Sequence, residues 1–243
     1  MLESFGWGTL AASSLVIGAL LAIWLKISLR MIGLIMAFGA GVLISAVAFD
    51  LVEEASAKSS GQGAVAWGLF IGCGVFFGGD LLISRIGGGD RKDSGGDQDS
   101  GSALGIVLGS VLDGIPESMV IGLTIFEGGA VGAAYLAAVF ISNMPEAISS
   151  TSGLVSSGWM KSKILWMWIG IALVSGLASS AGYGLFQNSS PAVVAFVLAF
   201  AAGAILTMLA TTMMPEAFEH GGKLVGVITT LGFAVAYTIH ALD

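Results

Sequence analysis

Residues 31–54 read MIGLIMAFGAGVLISAVAFDLVEE, and from Met31 to Phe49 the stretch carries no charged side chain. About 20 apolar residues in helical form cross the ~30 Å hydrocarbon core of a bilayer. A helix suits lipid because it satisfies its own backbone polar groups. The stretch returns far along the chain. Ala37-Phe38-Gly39-Ala40-Gly41 aligns with Ala199-Phe200-Ala201-Ala202-Gly203, and Glu54-Ala55 falls on Glu216-Ala217. Between Ala37 and Ala55, seven of 19 ungapped positions are identical.

Outward from this stretch, apolar runs between polar breaks predict eight spans in one membrane domain, residues 1–243. They lie near 5–26, 31–54, 62–87, 103–125, 130–156, 163–186, 191–215 and 223–242. Composition agrees: 56% of residues are hydrophobic and 10% charged, against roughly 25% charged in soluble domains. The 37 glycines fit helices whose backbones approach closely in lipid. The first stretch is too long for a signal peptide and lacks a basic leader, so it reads as a retained span. A net charge of −7 argues against a nucleic-acid partner; the partner is the lipid bilayer. Cys73, the single cysteine, has no internal disulfide partner and reads as a small packed residue.

Basic residues fix the expected orientation. The connections after spans 1, 3, 5 and 7 carry Lys26, Arg30, Arg85, Arg91, Lys92, Lys161, Lys163 and Lys223, whereas the other side has only Lys58. By the positive-inside tendency both termini lie outside the plasma (inner) membrane. The Gly/Ser/Asp-rich loop 88–102 is then a flexible cytoplasmic linker. Span 2 runs outward and span 7 inward, so their likeness predicts an inverted repeat relating spans 1–3 to 6–8. Spans 3 and 8 add Gly68 and Gly74 against Gly226 and Gly232.

Spans 4 and 5 stand outside the repeat and hold the unusual chemistry. Span 4 contains Ser110-Val111-Leu112-Asp113-Gly114-Ile115-Pro116-Glu117-Ser118, and span 5 contains Ile141-Ser142-Asn143-Met144-Pro145-Glu146-Ala147. Asp113 and Glu117 share one helix face, as do Asn143 and Glu146. A mid-membrane carboxylate costs at least about 2.5 kcal/mol on insertion scales, and neither span contains Lys, Arg or His. What remains to neutralise them is a cation, a proton or water. Pro116 and Pro145 each remove a helical hydrogen bond and free the carbonyls of Leu112 and Ile141. Two Pro-Glu elements at one depth make an oxygen-rich cage suited to a divalent cation. Alternatively, Asp113, Glu117 and Glu146 are protonated and hydrogen-bonded to serine and backbone, holding the bundle together.

At these residues the chain resembles the Zrt/Irt-like (ZIP) divalent-metal transporters. The resemblance covers nearly the whole chain, in its eight spans, outward termini, loop after span 3 and 3+2+3 arrangement. It implies that Glu117 and Glu146 are metal ligands, with Asp113 and Asn143 beside them and Ser142, Leu112 and Ile141 as secondary donors. It also implies a homodimer. The metal is substrate, no resident cofactor is expected, and the chain is not an enzyme. The sequence departs from the family pattern where Asp113 replaces a histidine, Gly114 an asparagine, and Ser142 the first ligand of span 5. An all-oxygen donor set weakens the preference for Zn²⁺ relative to harder ions such as Mn²⁺, Fe²⁺ or Mg²⁺, so the substrate reads as zinc or one of these harder ions.

Asp50 and Glu53 near the outer end of span 2, and Glu216, Glu219 and His220 near the inner end of span 7, read either as a cation path or as plain interfacial charges. Asp80 lies deep in span 3, and the methionines read as packing. A different class, an intramembrane aspartyl protease using Asp50 and Asp80, needs paired membrane aspartates and leaves the two Pro-Glu elements unexplained. A non-metal or non-transporting member of the same fold is the other alternative.

Overall fold

A computed structural model describes residues 1–59, 61–85, 102–126 and 133–242. Its described residues form eight helical rods and no strand: α1 Leu2–Trp24, α2 Leu29–Lys58, α3 Gln62–Ile83, α4 Ser102–Phe126, α5 Ala133–Ser156, α6 Lys161–Phe186, α7 Pro191–Gly221 and α8 Leu224–His240. Six of them (α1, α2, α3, α4, α6 and α7) contain stretches long and apolar enough to cross a membrane. The other two differ for separate reasons. At 17 residues α8 is a shorter apolar helix. The middle of α5 is polar, with Ser142, Asn143, Glu146, Ser149, Ser150 and Thr151. The linker 88–102 lies outside the described residues except for Ser102, which opens α4.

The rods sort into two sets by their main packing. In one, α1 packs on α5 and α6, and α6 on α4; in the other, α3 packs on α7, and α2 on α7 and α8. Contacts of α2 with α5 and of α4 with α7 join the sets. At one end of the molecule the hydroxyl of Ser180 donates to the Met1 carbonyl, and His240 meets Asp50. This is the terminal end. Lys26, Arg30, Lys161 and Lys223 lie at the opposite ends of the rods, Arg30 and Lys161 in the first turns of α2 and α6.

Glycine sets how closely α2, α3, α7 and α8 approach. A Cβ on Gly41 would run into the carbonyl oxygen of Thr229 on α8, and one on Gly203 into that of Leu69 on α3. Likewise Gly72 of α3 seats the Phe200 carbonyl, and Gly232 of α8 seats that of Phe38. Gly41 and Gly203, and Phe38 and Phe200, are the aligned positions of the sequence match. The expected match of Gly74 with Gly232 is not reflected in the packing: Gly72, not Gly74, seats a neighbouring carbonyl as Gly232 does. Gly74 and Gly226 have no neighbour close to a would-be Cβ. Composition alone could not decide this, because α3 carries glycines on both its packed and its open faces.

Both long rods also loosen at matching places. A π-helical turn interrupts α2 at Val47–Glu53 and α7 at Leu209–Met213. Such turns insert a residue into the ladder and re-aim the side chains around them. Each turn is followed by an i,i+4 contact: Glu54 pairs with Lys58 at 3.5 Å, and His220 Nε2 lies 3.2 Å from Glu216 Oε1.

Cys73 is not packed as expected. It is exposed on α3, whose outer face also carries Trp67, Phe70 and Phe77. In a chain that sits in lipid, an apolar residue is equally at home on that face, so burial did not follow from residue type.

Candidate functional site

Asp113, Glu117, Asn143 and Glu146 are 4%, 2%, 8% and 6% exposed, so all four predicted donors turn inward. Their helices run unbroken through Pro116 and Pro145. Three glycines position these rods. A Cβ on Gly18 of α1 would strike the Met144 carbonyl, and one on Gly182 of α6 would strike that of Met119. On α2, Gly39 leaves room for Pro145 and Ser142, which would stand 3.0 and 3.3 Å from a Cβ there. The span-5 motif is thereby seated on α2.

The two motif helices meet where the Ser110 hydroxyl donates to Glu146 Oε1 at 3.4 Å. Antiparallel packing then sets Asp113 near the level of Asn143. Among the described residues, however, no group of three or more His, Cys, Asp or Glu side chains is gathered closely enough to hold a metal ion as placed. Asp113, Glu117 and Glu146 are buried in the same region without forming a closed coordination shell. Of the expected secondary donors, Ser142 is buried with its hydroxyl donating to the Val139 carbonyl at 3.1 Å, and Leu112 and Ile141 are half-buried. Deeper along α5 lie the buried Ser149, Ser150 and Thr151. The indole of Trp168 on α6 donates to Thr151 at 2.8 Å.

Toward the terminal end, a cavity of about 260 Å³ opens between α2, α4, α5 and α8. Asp50, Glu53, Glu54, Val120, Thr124, Tyr135 and His240 line it, together with Phe49, Leu51 and Ala57. Val120 and Thr124 continue the helical face that begins at Glu117, so the cavity stands directly above that carboxylate. His240 Nδ1 lies 2.6 Å from Asp50 Oδ1. Phe49 holds the end of α8 in place, its ring centre 6.0 Å from Phe233, 5.1 Å from Tyr237 and 5.6 Å from His240. Of the predicted path residues, Asp50 and Glu53 line this cavity. At the other end Glu216, 9% exposed, is paired with His220, and Glu219 is exposed.

Sequence reasoning missed His240, Tyr135 and Thr124. His240 is separated from Asp50 by almost the whole chain, and a terminal histidine carries no spacing signal. Tyr135 falls at the start of its helix, where an amphipathic tyrosine reads as an interfacial anchor. The Asp50 and Asp80 of the protease reading are placed differently. Asp50 pairs with His240 of α8, whereas Gly79, beside Asp80, packs against Leu112 of α4.

No protein-family model and no curated protein matches this chain.

Proposed function

We propose that this chain is an eight-span secondary transporter of the ZIP kind, carrying divalent metal cations toward the cytoplasm through the carboxylates of α4 and α5. The observation that carries the reading is the burial of Asp113, Glu117, Asn143 and Glu146 on two proline-containing helices that have no basic residue. Buried carboxylates need a compensating charge, and a transported cation supplies one. With the ion present, α4 and α5 draw their donors around it, replacing the proton or water that otherwise neutralises them. The oxygen-only donor set makes Mn²⁺, Fe²⁺ or Mg²⁺ substrates alongside Zn²⁺.

The inverted repeat is supported by the paired glycine contacts, the matching π-helical turns and the corresponding Glu54–Lys58 and Glu216–His220 pairs. On this reading the terminal end faces outward from the plasma (inner) membrane, and the basic end faces the cytoplasm. Cysteine labelling in a Cys73→Ser background tests it: Gly61→Cys is expected to react from outside and Gly95→Cys only from inside. The opposite pattern reverses the direction of transport.

Transport itself is tested in proteoliposomes loaded with a metal-sensing dye. External Mn²⁺ or Zn²⁺ is expected to enter with wild-type protein and not with Glu117→Ala. Equal entry with both proteins overturns the reading. A second reading is a non-transporting or non-metal member of the same fold with protonated carboxyls, and it is favoured by the lack, among the described residues, of three ligating side chains gathered to hold a metal. It predicts a folded protein that binds no metal.

A further inference from the structure

We propose that the turn joining α5 to α6 binds an anionic phospholipid, its phosphate held by Lys161 and Lys163 and its acyl chain laid along the outer face of α6. The inference needs only that the chain sits in a bilayer and does not rest on the transporter reading. At the basic end of the molecule a cavity of about 270 Å³ opens between Ser157, Gly158, Trp159, Met160 and Lys163. At ~30 Å³ per water it has room for roughly nine waters, and so for a phosphodiester group with solvent around it. Its walls are fixed. Gly158 takes a left-handed conformation with φ 81°. The Gly158 N–H donates to the Val155 carbonyl at 3.1 Å and the Trp159 N–H to the Leu154 carbonyl at 3.0 Å, which closes the turn. Trp159 packs against the buried cluster that contains Leu154, Ile164 and Trp168.

Charge selects the headgroup. Lys161 and Lys163 are both exposed, and no acidic residue lies in the first turn of α6. Among the described residues neither lysine is in an ion pair. The cavity lining has no carboxylate to receive the ammonium group of a zwitterionic lipid, so the site suits an occupant of net negative charge. Basic pockets between membrane helices take such headgroups. The apolar half of the site decides between a lipid and a free phosphate. Lys163, Trp166, Gly170, Leu173 and Leu177 follow one another down a single face of α6. Trp166, Leu173 and Leu177 are 72%, 47% and 62% exposed. A Cβ on Gly170 would meet no neighbour within 4 Å, so the glycine leaves a notch between Trp166 and Leu173 in which an acyl chain can lie. Free phosphate makes no contact with that notch. Lys26 and Arg30 bring equal charge to the same end of the molecule and serve as the control for general attraction of basic residues to anionic lipid.

Native mass spectrometry of the full chain in a neutral detergent, titrated with phosphatidylglycerol or phosphatidylcholine, tests the proposal. Wild type is expected to retain phosphatidylglycerol about tenfold more tightly than phosphatidylcholine. Lys161→Gln/Lys163→Gln is expected to remove that preference, whereas Lys26→Gln/Arg30→Gln changes the affinity by less than about twofold. Gly170→Leu fills the notch with a good helix former. It is expected to weaken phosphatidylglycerol binding roughly threefold while the lipid-free melting temperature stays level or rises. Equal weakening by the two charge pairs, or no preference for phosphatidylglycerol in wild type, refutes the site. Unchanged affinity on Gly170→Leu, or displacement of the lipid by millimolar inorganic phosphate, shows that the turn takes a phosphate group alone and overturns the lipid assignment.

Discussion

The set α1, α4, α5 and α6 differs from the set α2, α3, α7 and α8 in what it buries. Among the described residues, 14 of the 16 buried polar side chains belong to the first set, and only Ser45 and Glu216 to the second. The first set is held partly by hydroxyls. Ser4 and Ser179 each donate to the other's carbonyl at 2.8 Å, across α1 and α6. The second is sealed by backbone laid directly on glycine at Gly41, Gly72, Gly203 and Gly232. Between helices in lipid, close van der Waals packing and hydrogen bonds supply the attraction that hydrophobicity supplies in water. This molecule divides the two devices between its halves. The half that buries few polar groups serves as a frame, and the half that tolerates them carries the carboxylates of the two Pro-Glu motifs.

The division breaks most severely at the glycine contacts. Gly41→Val drives a branched side chain into the Thr229 carbonyl and is expected to cost more than about 3 kcal/mol, as overpacked buried sites do. Gly74→Val, on the open face of the neighbouring α3, is expected to stay within about 0.5 kcal/mol. Thermal melting of the two variants in one detergent compares them. Equal losses would mean that the frame is not made by these contacts.

The predicted consequence in the polar half is selectivity rather than collapse. Asp113→His places a nitrogen donor in the α4 motif and is expected to raise the Zn²⁺-to-Mn²⁺ affinity ratio about tenfold. Competition titration of purified protein reads it, and an unchanged ratio removes Asp113 from the donor set. A smaller effect belongs to the hydroxyl bonds. Ser4→Ala is expected to cost about 0.6 kcal/mol, the usual size of an interhelical hydrogen bond in membranes. A loss as large as that of Gly41→Val would show that the two halves are held in the same way.

Much of this contrast was legible in the sequence because it follows from local composition. Long apolar runs with polar breaks located all eight rods, although α7 runs six residues past its expected end at 215, and the Pro-Glu motifs located the buried carboxylates. The likeness of α2 and α7 was visible because Ala37–Gly41 and Glu54 recur in order. What could not be read depends on which face of a rod meets which neighbour. The choice of Gly72 over Gly74 is of that kind, since lipid and protein faces are equally apolar. So is the exposure of Cys73. His240 reaches Asp50 only because α8 packs along α2, and no local pattern encodes that distance. Nor does the sequence reveal that α4 and α5 stop short of a closed metal shell, which is a matter of ångströms between helices rather than of residue type.

The central claim is that the buried carboxylates of α4 and α5 exist to hold a divalent cation. Metal analysis of purified full-length protein after equilibration with Zn²⁺ and Mn²⁺, wild type against Glu117→Ala, tests it most directly. The account predicts one tightly held ion per wild-type chain. Retention by Glu117→Ala should be at least ~100-fold weaker, since even supporting residues around a metal site cost 10- to 100-fold, while the variant keeps its helical content. Wild-type protein that holds no metal, or a Glu117→Ala protein that holds as much as wild type, would contradict it.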